Sequence, residues 1–217
     1  MAQETAISKA ITKLSDVRSK FNLTRSDEPQ FFTEWLGELP EIGAREKLEL
    51  DRLKERYFYY LEQEESISEG TVNIIIIHPL LNVMGLCDRP FIIRGEASLQ
   101  VEIENRAEAR ILQGRIDALA VIDRFWVVVI EAKESGFSVF NALPQTLAYM
   151  MGNPHPERPT FAMISNGEDY IFVKLTRGDT NQYAFSNKFT IANPQSNELY
   201  EVTRIVKRLI ILSAGTP

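Results

Sequence analysis

Two carboxylates and a lysine lie at the ends of neighbouring predicted strands, where they could bind a metal ion. One strand ends in Asp117, and the next, over residues 125–130, leads into Glu131-Ala132-Lys133. The second strand is rich in β-branched residues and is predicted to be buried on both faces, so charges at its end need a partner or a function. Carboxylates without nearby His or Cys select Mg²⁺ or Mn²⁺ over zinc. We therefore expect Asp117 and Glu131 to bind a hard cation, with the Ala132 carbonyl as a further ligand.

Such a site has the composition needed for hydrolysis at a phosphate. A Mg²⁺ ion held by Asp117 and Glu131 would lower the pKa of a bound water and neutralise charge on a phosphate. Lys133 would orient that water or stabilise the developing negative charge. The alternative is that Glu131-Ala132-Lys133 is the solvated end of a central strand, with Asp117 in a local ion pair.

The proposed pairing of the two acids depends on the length of one loop. A three-residue loop of Asp123, Arg124 and Phe125 would set Asp117 directly opposite Glu131, with Cβ atoms about 5 Å apart. A two-residue turn at Asp123-Arg124 would shift the register by one and send Asp117 to the other face, unless a bulge restored it.

A helix predicted over residues 137–151 follows Gly136 and carries Gln145 and Tyr149 four positions apart, which places them on one helix face. The early part of this helix is expected to lie close to Lys133, so Gln145 could point at the metal or at the scissile phosphate. The alternative is an amphipathic helix with Gln145 on its surface.

These residues resemble the PD-(D/E)XK nuclease superfamily, and in particular the nuclease domain at the N-terminus of type I restriction endonuclease subunits. Asp117 matches the metal-binding aspartate of that family, and Glu131 with Lys133 matches its E-x-K motif. Gln145 and Tyr149 match its Q-x-x-x-Y motif, in which the glutamine lies beside the active site. The resemblance therefore implies a catalytic set of Asp117, Glu131, Lys133 and Gln145, with Tyr149 as a substrate-positioning residue.

The resemblance covers residues 66–176 and adds one further acid. The segment Ser68-Glu69-Gly70-Thr71 resembles the start of the first helix of the family, which carries over a metal-binding role to Glu69. A Ser-Glu start is also ordinary helix capping and dipole compensation. The proline that precedes the aspartate in the family is replaced here by Ile116.

The implied fold is α/β, with a restriction-endonuclease-like core, a mixed central β-sheet flanked by helices, and an N-terminal helical extension. The implied activity is Mg²⁺-dependent hydrolysis of DNA. Because the chain has no G-x-x-x-x-G-K-[ST] phosphate loop, an ATP-driven motor would have to come from a partner subunit. Double-strand cutting with one site per chain would favour a homodimer. The alternative function is a catalytically idle binding or scaffold subunit that keeps the fold.

Composition is that of a soluble globular protein, with 217 residues, 44% hydrophobic content and 25% charged content. We expect a helical extension over 1–65 and the nuclease core with a C-terminal helix over 66–217. Residues 74–81 are too short an apolar run to cross a bilayer. A single cysteine and the lack of an N-terminal signal peptide favour the cytoplasm.

The formal net charge of −6 is unusual for a protein that binds DNA. Residues 27–69 hold 13 acids against 5 bases, a net of −8, so the remaining residues sum to +2. The core therefore does not repel phosphate. Candidate phosphate contacts, each of which could equally be a solvated surface residue, are Arg94, Arg106, Arg110, Arg115, Arg158, Lys174 and Arg177.

Four elements complete the prediction from hydrophobic periodicity and turn residues. Helices are expected at 6–21, 41–65 and 197–213, and a hairpin is expected around Asn166-Gly167. The helix at 41–65 has an apolar stripe, which most often packs on its own domain. It could equally form a dimer seam, or hold an acidic surface beside the DNA groove as a mimic of phosphate.

Overall fold

The computed structural model describes residues 3–64, 67–89, 91–94, 97–105, 108–116, 118–122, 125–129 and 138–214. In chain order the elements are β1 (Gln3–Ala6), α1 (Ile7–Ala10), α2 (Leu14–Phe21), β2 (Leu23–Arg25), α3 (Ala44–Gln63), α4 (Glu69–Val72), a π-helical turn (Asn73–Ile77), α5 (His78–Val83), β3 (Ile92–Arg94), β4 (Ala97–Asn105), β5 (Glu108–Ile116), β6 (Ala118–Ile122), β7 (Phe125–Val129), a 3-10 turn (Val139–Asn141), α6 (Leu143–Met151), β8 (Thr160–Ser165), β9 (Asp169–Thr176), β10 (Asn181–Phe185), β11 (Phe189–Thr190) and α7 (Leu199–Ala214).

A mixed sheet of five strands forms the centre of the fold. β9 pairs antiparallel with β8 on one side and with β10 and β11 on the other. β2 extends the sheet by pairing parallel with β10. The predicted hairpin is confirmed: β8 and β9 flank a turn in which Gly167 has a φ of +84°, a conformation that glycine adopts without steric cost. The fold is α/β and is consistent with the predicted restriction-endonuclease-like core.

A long antiparallel hairpin precedes this sheet. β4 pairs with β5 and β3 pairs with β6, and paired residue numbers add to 213 in both ladders. The register is therefore the same on both sides of the interruption between β5 and β6. β1 pairs parallel with β5 on the side away from β4. β7 pairs with β6 and lies beside β8, which brings the hairpin next to the five-strand sheet.

The register of β6 and β7 decides between the two loop lengths that the sequence left open. Ile122 pairs with Phe125 and Ala118 pairs with Val129, so only two residues separate the paired ends of the strands. This pairing matches the shorter of the two loop lengths considered above. A two-residue connection is the commonest hairpin turn, because its twist matches that of the flanking strands.

Two layers of helices cover the two faces of the five-strand sheet, because the side chains of β8 and β9 alternate between them. One layer, here called the α6 layer, consists of α1, α2 and α6 and packs on Ala162, Ile164, Ile171 and Val173. The other, here called the α3 layer, consists of α3, α4, α5 and α7 and packs on Phe161, Met163, Tyr170 and Phe172. All eight of these strand residues are buried.

The predicted helix at 41–65 is confirmed as α3, with its ends a few residues shorter. Its start is fixed by Glu46, whose Oε2 accepts the Gly43 N–H at 2.7 Å, as in a capping box. Leu50, Leu53 and Tyr57 form the stripe that α3 buries in the core. Because the stripe packs inside the chain, it is not free to form a dimer seam.

The N-terminal segment is less helical than expected. The predicted helix at 6–21 is divided into α1 and α2, because the Asp16 carboxylate accepts the N–H groups of Thr12 and Lys13 and starts a new helix there. β1 and β2, which were not predicted, pair with β5 and β10. The segment therefore contributes strands as well as helices. None of the described helices has the length and apolarity that a bilayer crossing requires.

Candidate active site

Three described elements begin or end at, or within two residues of, predicted site residues. β5 ends at Ile116, directly before Asp117, and β7 ends at Val129, two residues before Glu131. α4 begins at Glu69. Asp117, Glu131 and Lys133 themselves lie outside the described residues, and at Glu69 only the backbone is described. Within the described ranges, no group of three His, Cys, Asp or Glu side chains could hold a metal ion.

The observed register sets a requirement on any site shared by the two acids. In the ladder of β6 and β7 paired numbers add to 247, so a regular continuation would pair residue 117 with residue 130. Asp117 and Glu131 would then face opposite sides of the sheet. A cation bound by both carboxylates therefore requires a departure from this regular ladder, such as a bulge in one of the two strands.

Gln145 and Tyr149 lie on α6 as predicted, although α6 begins later than expected. Pro144 lies in the first turn of the helix, where its missing N–H costs nothing, and the Thr146 hydroxyl donates to the Ala142 carbonyl at 2.9 Å. Gln145 is half-buried, while Tyr149 is 5% exposed and belongs to the core of the α6 layer. The pair therefore shares a face of α6, with the tyrosine directed into the core.

Gln145 lies in the first turn of α6, and no described residue makes a hydrogen bond to its side-chain amide. A glutamine amide offers two N–H donors and one carbonyl acceptor. It can thus contact a phosphate oxygen, a water molecule or a carboxylate at this end of the helix.

Two of the predicted phosphate contacts serve the fold instead. Lys174 forms an ion pair with Glu34 and also donates to the Phe31 carbonyl at 2.7 Å. Arg177 donates to the Met151 carbonyl at 2.9 Å and to the Asn153 carbonyl, which holds the end of α6. Burial lowers the pKa of the Arg177 guanidinium. These two cations are occupied within the chain and are not free to bind DNA.

The turn between β8 and β9 contacts the helix that begins at Glu69. A Cβ atom built on Gly167 would lie 2.1 Å from Cγ1 of Val72, the last residue of α4. Beside it, the Tyr57 hydroxyl donates to Glu168 Oε2 at 2.7 Å. Burial, and then the bond to Glu168, raise the pKa of Tyr57. Because Gly167 has no side chain, the turn between β8 and β9 can contact Val72 directly. This contact fixes the position of α4.

Sequence reasoning missed the packing role of one glycine and the exposed cations of the N-terminal segment. It read Gly167 only as a turn residue, because a close approach to Val72 depends on packing between distant parts of the chain. It also omitted three exposed cations, Lys9, Lys13 and Arg18, from the candidate phosphate contacts. A charge count over residues 7–25 shows the excess of cations in that segment, although not which of them lack partners in the fold.

The α/β fold, with a mixed sheet flanked by helices, is consistent with a restriction-endonuclease-like core. Residues 96–198 match the family model described as "Type I restriction enzyme R protein N terminus", which confirms the resemblance seen in the sequence. The match includes Asp117, Glu131, Lys133, Gln145 and Tyr149, while Glu69 lies before it.

Comparison with solved structures gives a much weaker likeness. A protein titled "Crystal structure of SSO0001" is 12% identical over 80% of this chain and 88% of its own, with a TM-score of 0.28. A score this low carries no argument about fold or function. No curated protein matches the chain.

Proposed function

We propose that this chain is a metal-dependent deoxyribonuclease that hydrolyses phosphodiester bonds. The observation that carries the proposal is the family match over residues 96–198, which contains Asp117, Glu131, Lys133 and Gln145 in the order and spacing of the E-x-K and Q-x-x-x-Y motifs. Strands β5 and β7 support it, since β5 ends directly before Asp117 and β7 ends two residues before Glu131.

The donor set fits Mg²⁺ or Mn²⁺. Asp117, Glu131 and Glu69 would supply carboxylate oxygens, which are the ligands that hard cations prefer. His155 is instead beside Glu157, with Nδ1 3.5 Å from Oε1, and His78 is exposed on α5. When bound, the ion would lower the pKa of a coordinated water and offset charge on the phosphate.

The other residues would act directly on water and substrate. The Lys133 ammonium would hold the attacking water or stabilise the negative charge that develops on the phosphate. Gln145, with its unpaired amide among the described residues, would orient the same water or a phosphate oxygen. Tyr149 would hold the face of α6 against the core and so position Gln145.

A cleavage assay tests the proposal. Purified protein would be incubated with supercoiled plasmid, and with linear single- and double-stranded DNA, in Mg²⁺, Mn²⁺ or EDTA. We expect nicking or degradation that requires the metal and is lost in Asp117→Ala and Lys133→Ala. Glu201→Ala, which removes a half-exposed carboxylate from α7, is the matched control and should cleave normally. Cleavage that survives both site substitutions would reject the proposed site.

The second candidate is a catalytically idle binding or scaffold subunit. It is favoured by the charge of residues 27–69, which have a net of −8 and disfavour phosphate contact over that part of the surface. Absence of cleavage in every condition, together with absence of Mn²⁺ binding by calorimetry, would make this the better account. Mn²⁺ binding abolished by Asp117→Ala would reject it.

The wider role is part of the proposal. Restriction, defence or repair in the cytoplasm would each use this chemistry. Double-strand cutting would favour a homodimer, and translocation along DNA would need a separate motor subunit, since the chain has no phosphate loop. Light scattering of the protein with and without duplex DNA tests for the homodimer. A homodimer would give twice the mass of the single chain.

A further inference from the structure

A basic segment, from the start of α1 to the end of β2, stands out against the charge of the chain. Residues 7–25 contain five cations and one acid, a net of +4, whereas the whole chain is −6, so all other residues sum to −10. The cations are Lys9, Lys13, Arg18, Lys20 and Arg25. All are exposed except Lys20, which is half-buried.

The cations of the basic segment are not used to hold the fold together. Within the part of the chain that the structure describes, none of the five side chains forms an ion pair or donates a hydrogen bond to a protein group, and Arg25 only stacks on Phe185 at 4.6 Å from the ring centroid. The single acid, Asp16, is engaged at the start of α2, where the N–H of Thr12 lowers the pKa of its carboxyl. Lys9, Lys13 and Arg18 are thus exposed to solvent and form no ion pair with any side chain that the structure describes.

The segment lies beside the elements that lead to the candidate site. β1 runs parallel to β5 and ends with Ala6 paired to Gln113, three residues, or about 10 Å, before the end of β5. α1 therefore begins close to the strand end that precedes Asp117. Both α1 and α2 pack on α6, the helix that carries Gln145.

We propose that the basic segment binds the phosphate backbone of duplex DNA and holds it against the α6 side of the candidate site. This inference rests on the proposed nuclease function and adds the surface that meets the substrate. Unpaired Lys and Arg side chains supply sequence-independent phosphate contacts by releasing condensed counterions. Exposed Ser15, near Lys13 and Arg18, adds a hydroxyl donor to the same surface.

Binding measured against salt concentration tests the basic segment. Wild type would be compared with a variant carrying Lys9→Gln, Lys13→Gln and Arg18→Gln, using fluorescence anisotropy of a labelled duplex in EDTA, from about 50 to 200 mM salt. The matched control carries Arg45→Gln, Lys47→Gln and Arg89→Gln. These residues are also exposed and form no ion pair among the described residues, so both variants change the net charge equally.

We expect the basic-segment variant to bind more weakly and to lose about 2 to 3 from the slope of log affinity against log salt, since each phosphate contact contributes about 0.9. The control should keep the wild-type slope, and melting temperatures should agree, because all six side chains are exposed. Equal loss in both variants, or in neither, would overturn the surface while leaving the nuclease proposal standing. A wild type that binds no duplex would overturn both.

Discussion

The two helical layers of the sheet use their charged side chains in different ways. In the α3 layer, cations are bonded to distant parts of the chain: Lys54 donates to the Ser196 carbonyl at 2.6 Å, and Arg204 donates to the carbonyls of Pro40 and Leu39, both at 3.1 Å. In the α6 layer, the cations of the basic segment have no such bonds among the described residues. These α3-layer cations therefore support the fold, whereas the cations of the basic segment are available to a ligand.

Acidic side chains are also distributed unevenly, and their excess lies outside α3. α3 itself is balanced, with five acids and five bases over residues 44–63. The excess of the −8 segment therefore lies in the residues that flank α3. Phosphate would meet positive charge on the α6 side and net negative charge around the ends of α3, which gives the bound duplex a preferred side.

The largest expected loss of stability comes from Gly167→Ala, which disturbs the contact between the β8–β9 turn and the α3 layer. The substitution forces an alanine into a φ of +84°, at roughly 1–2 kcal/mol, and pushes its Cβ into Val72, at about 1–3 kcal/mol more. Chemical denaturation should show a loss of about 2–5 kcal/mol in the free energy of unfolding.

Gly85→Ala is the control for that prediction, because Gly85 has a φ of +78° with nothing within 4 Å of the added atom. It should cost only the backbone strain. Val72→Ala combined with Gly167→Ala should recover part of the loss. Equal losses at Gly85 and Gly167 would show that the turn does not position α4.

A smaller effect is expected from Tyr57→Phe, which removes the bond from α3 to Glu168. A hydrogen bond to a charged group contributes about 1.5–3 kcal/mol, and this is the expected loss. Because burial and Glu168 raise the pKa of Tyr57 in the folded state, its contribution is complete below the ordinary tyrosine pKa of about 10. That contribution disappears as pH rises through the folded pKa.

The free energy of unfolding, measured from neutral to strongly alkaline pH, therefore distinguishes wild type from Tyr57→Phe. The wild type should lose more stability than the variant above about pH 10. Tyr59→Phe, on the exposed side of the same helix, should match wild type throughout. Parallel curves for wild type and Tyr57→Phe would refute the link.

The smallest effect is expected from Lys207→Gln, which breaks an ion pair between α7 and Glu46 of α3. Burial raises the pKa of Glu46, but Lys207 and the Gly43 N–H outweigh it, so the pKa is lowered overall. The contribution is present above the ordinary glutamate pKa and is lost as pH falls through the folded pKa. For partly exposed groups it should be about 1 kcal/mol or less at neutral pH.

The check on Lys207→Gln is the difference in unfolding free energy from wild type at neutral pH and in acid. The difference should shrink in acid as Glu46 takes up a proton. Arg208→Gln is the control, since Arg208 makes no ion pair among the described residues. A difference that grows in acid would contradict the assignment.

Elements with strong local signals were predictable from the sequence. α3 and α7 repeat apolar residues at helical spacing, and Asn166-Gly167 specifies the β8–β9 turn through the positive φ of glycine. β1 and β2 were missed, because both are short and gain their order from parallel pairing with strands far along the chain. Pro144 marked the true start of α6, and that signal was not used.

Residue order and type predict which residues form the candidate site, and the family match spans the E-x-K and Q-x-x-x-Y residues. How these residues are arranged depends on features that the sequence alone does not specify. The register of β6 and β7 was not predictable, since two- and three-residue loops fit the same sequence and differ by one position of pairing. Identifying the unpaired cations of the basic segment required the structure, because a sequence does not show which charges are already paired.

The central claim is that chemistry at Asp117 and Lys133 and DNA binding by the basic segment are separate properties of one nuclease. Steady-state nicking of supercoiled plasmid in Mg²⁺ tests this claim on three proteins. These are wild type, Asp117→Ala, and the basic-segment variant that carries Lys9→Gln, Lys13→Gln and Arg18→Gln. The account predicts no turnover in Asp117→Ala, and an unchanged kcat with a KM raised about tenfold or more in the basic-segment variant. Nicking by Asp117→Ala at the wild-type rate would contradict it.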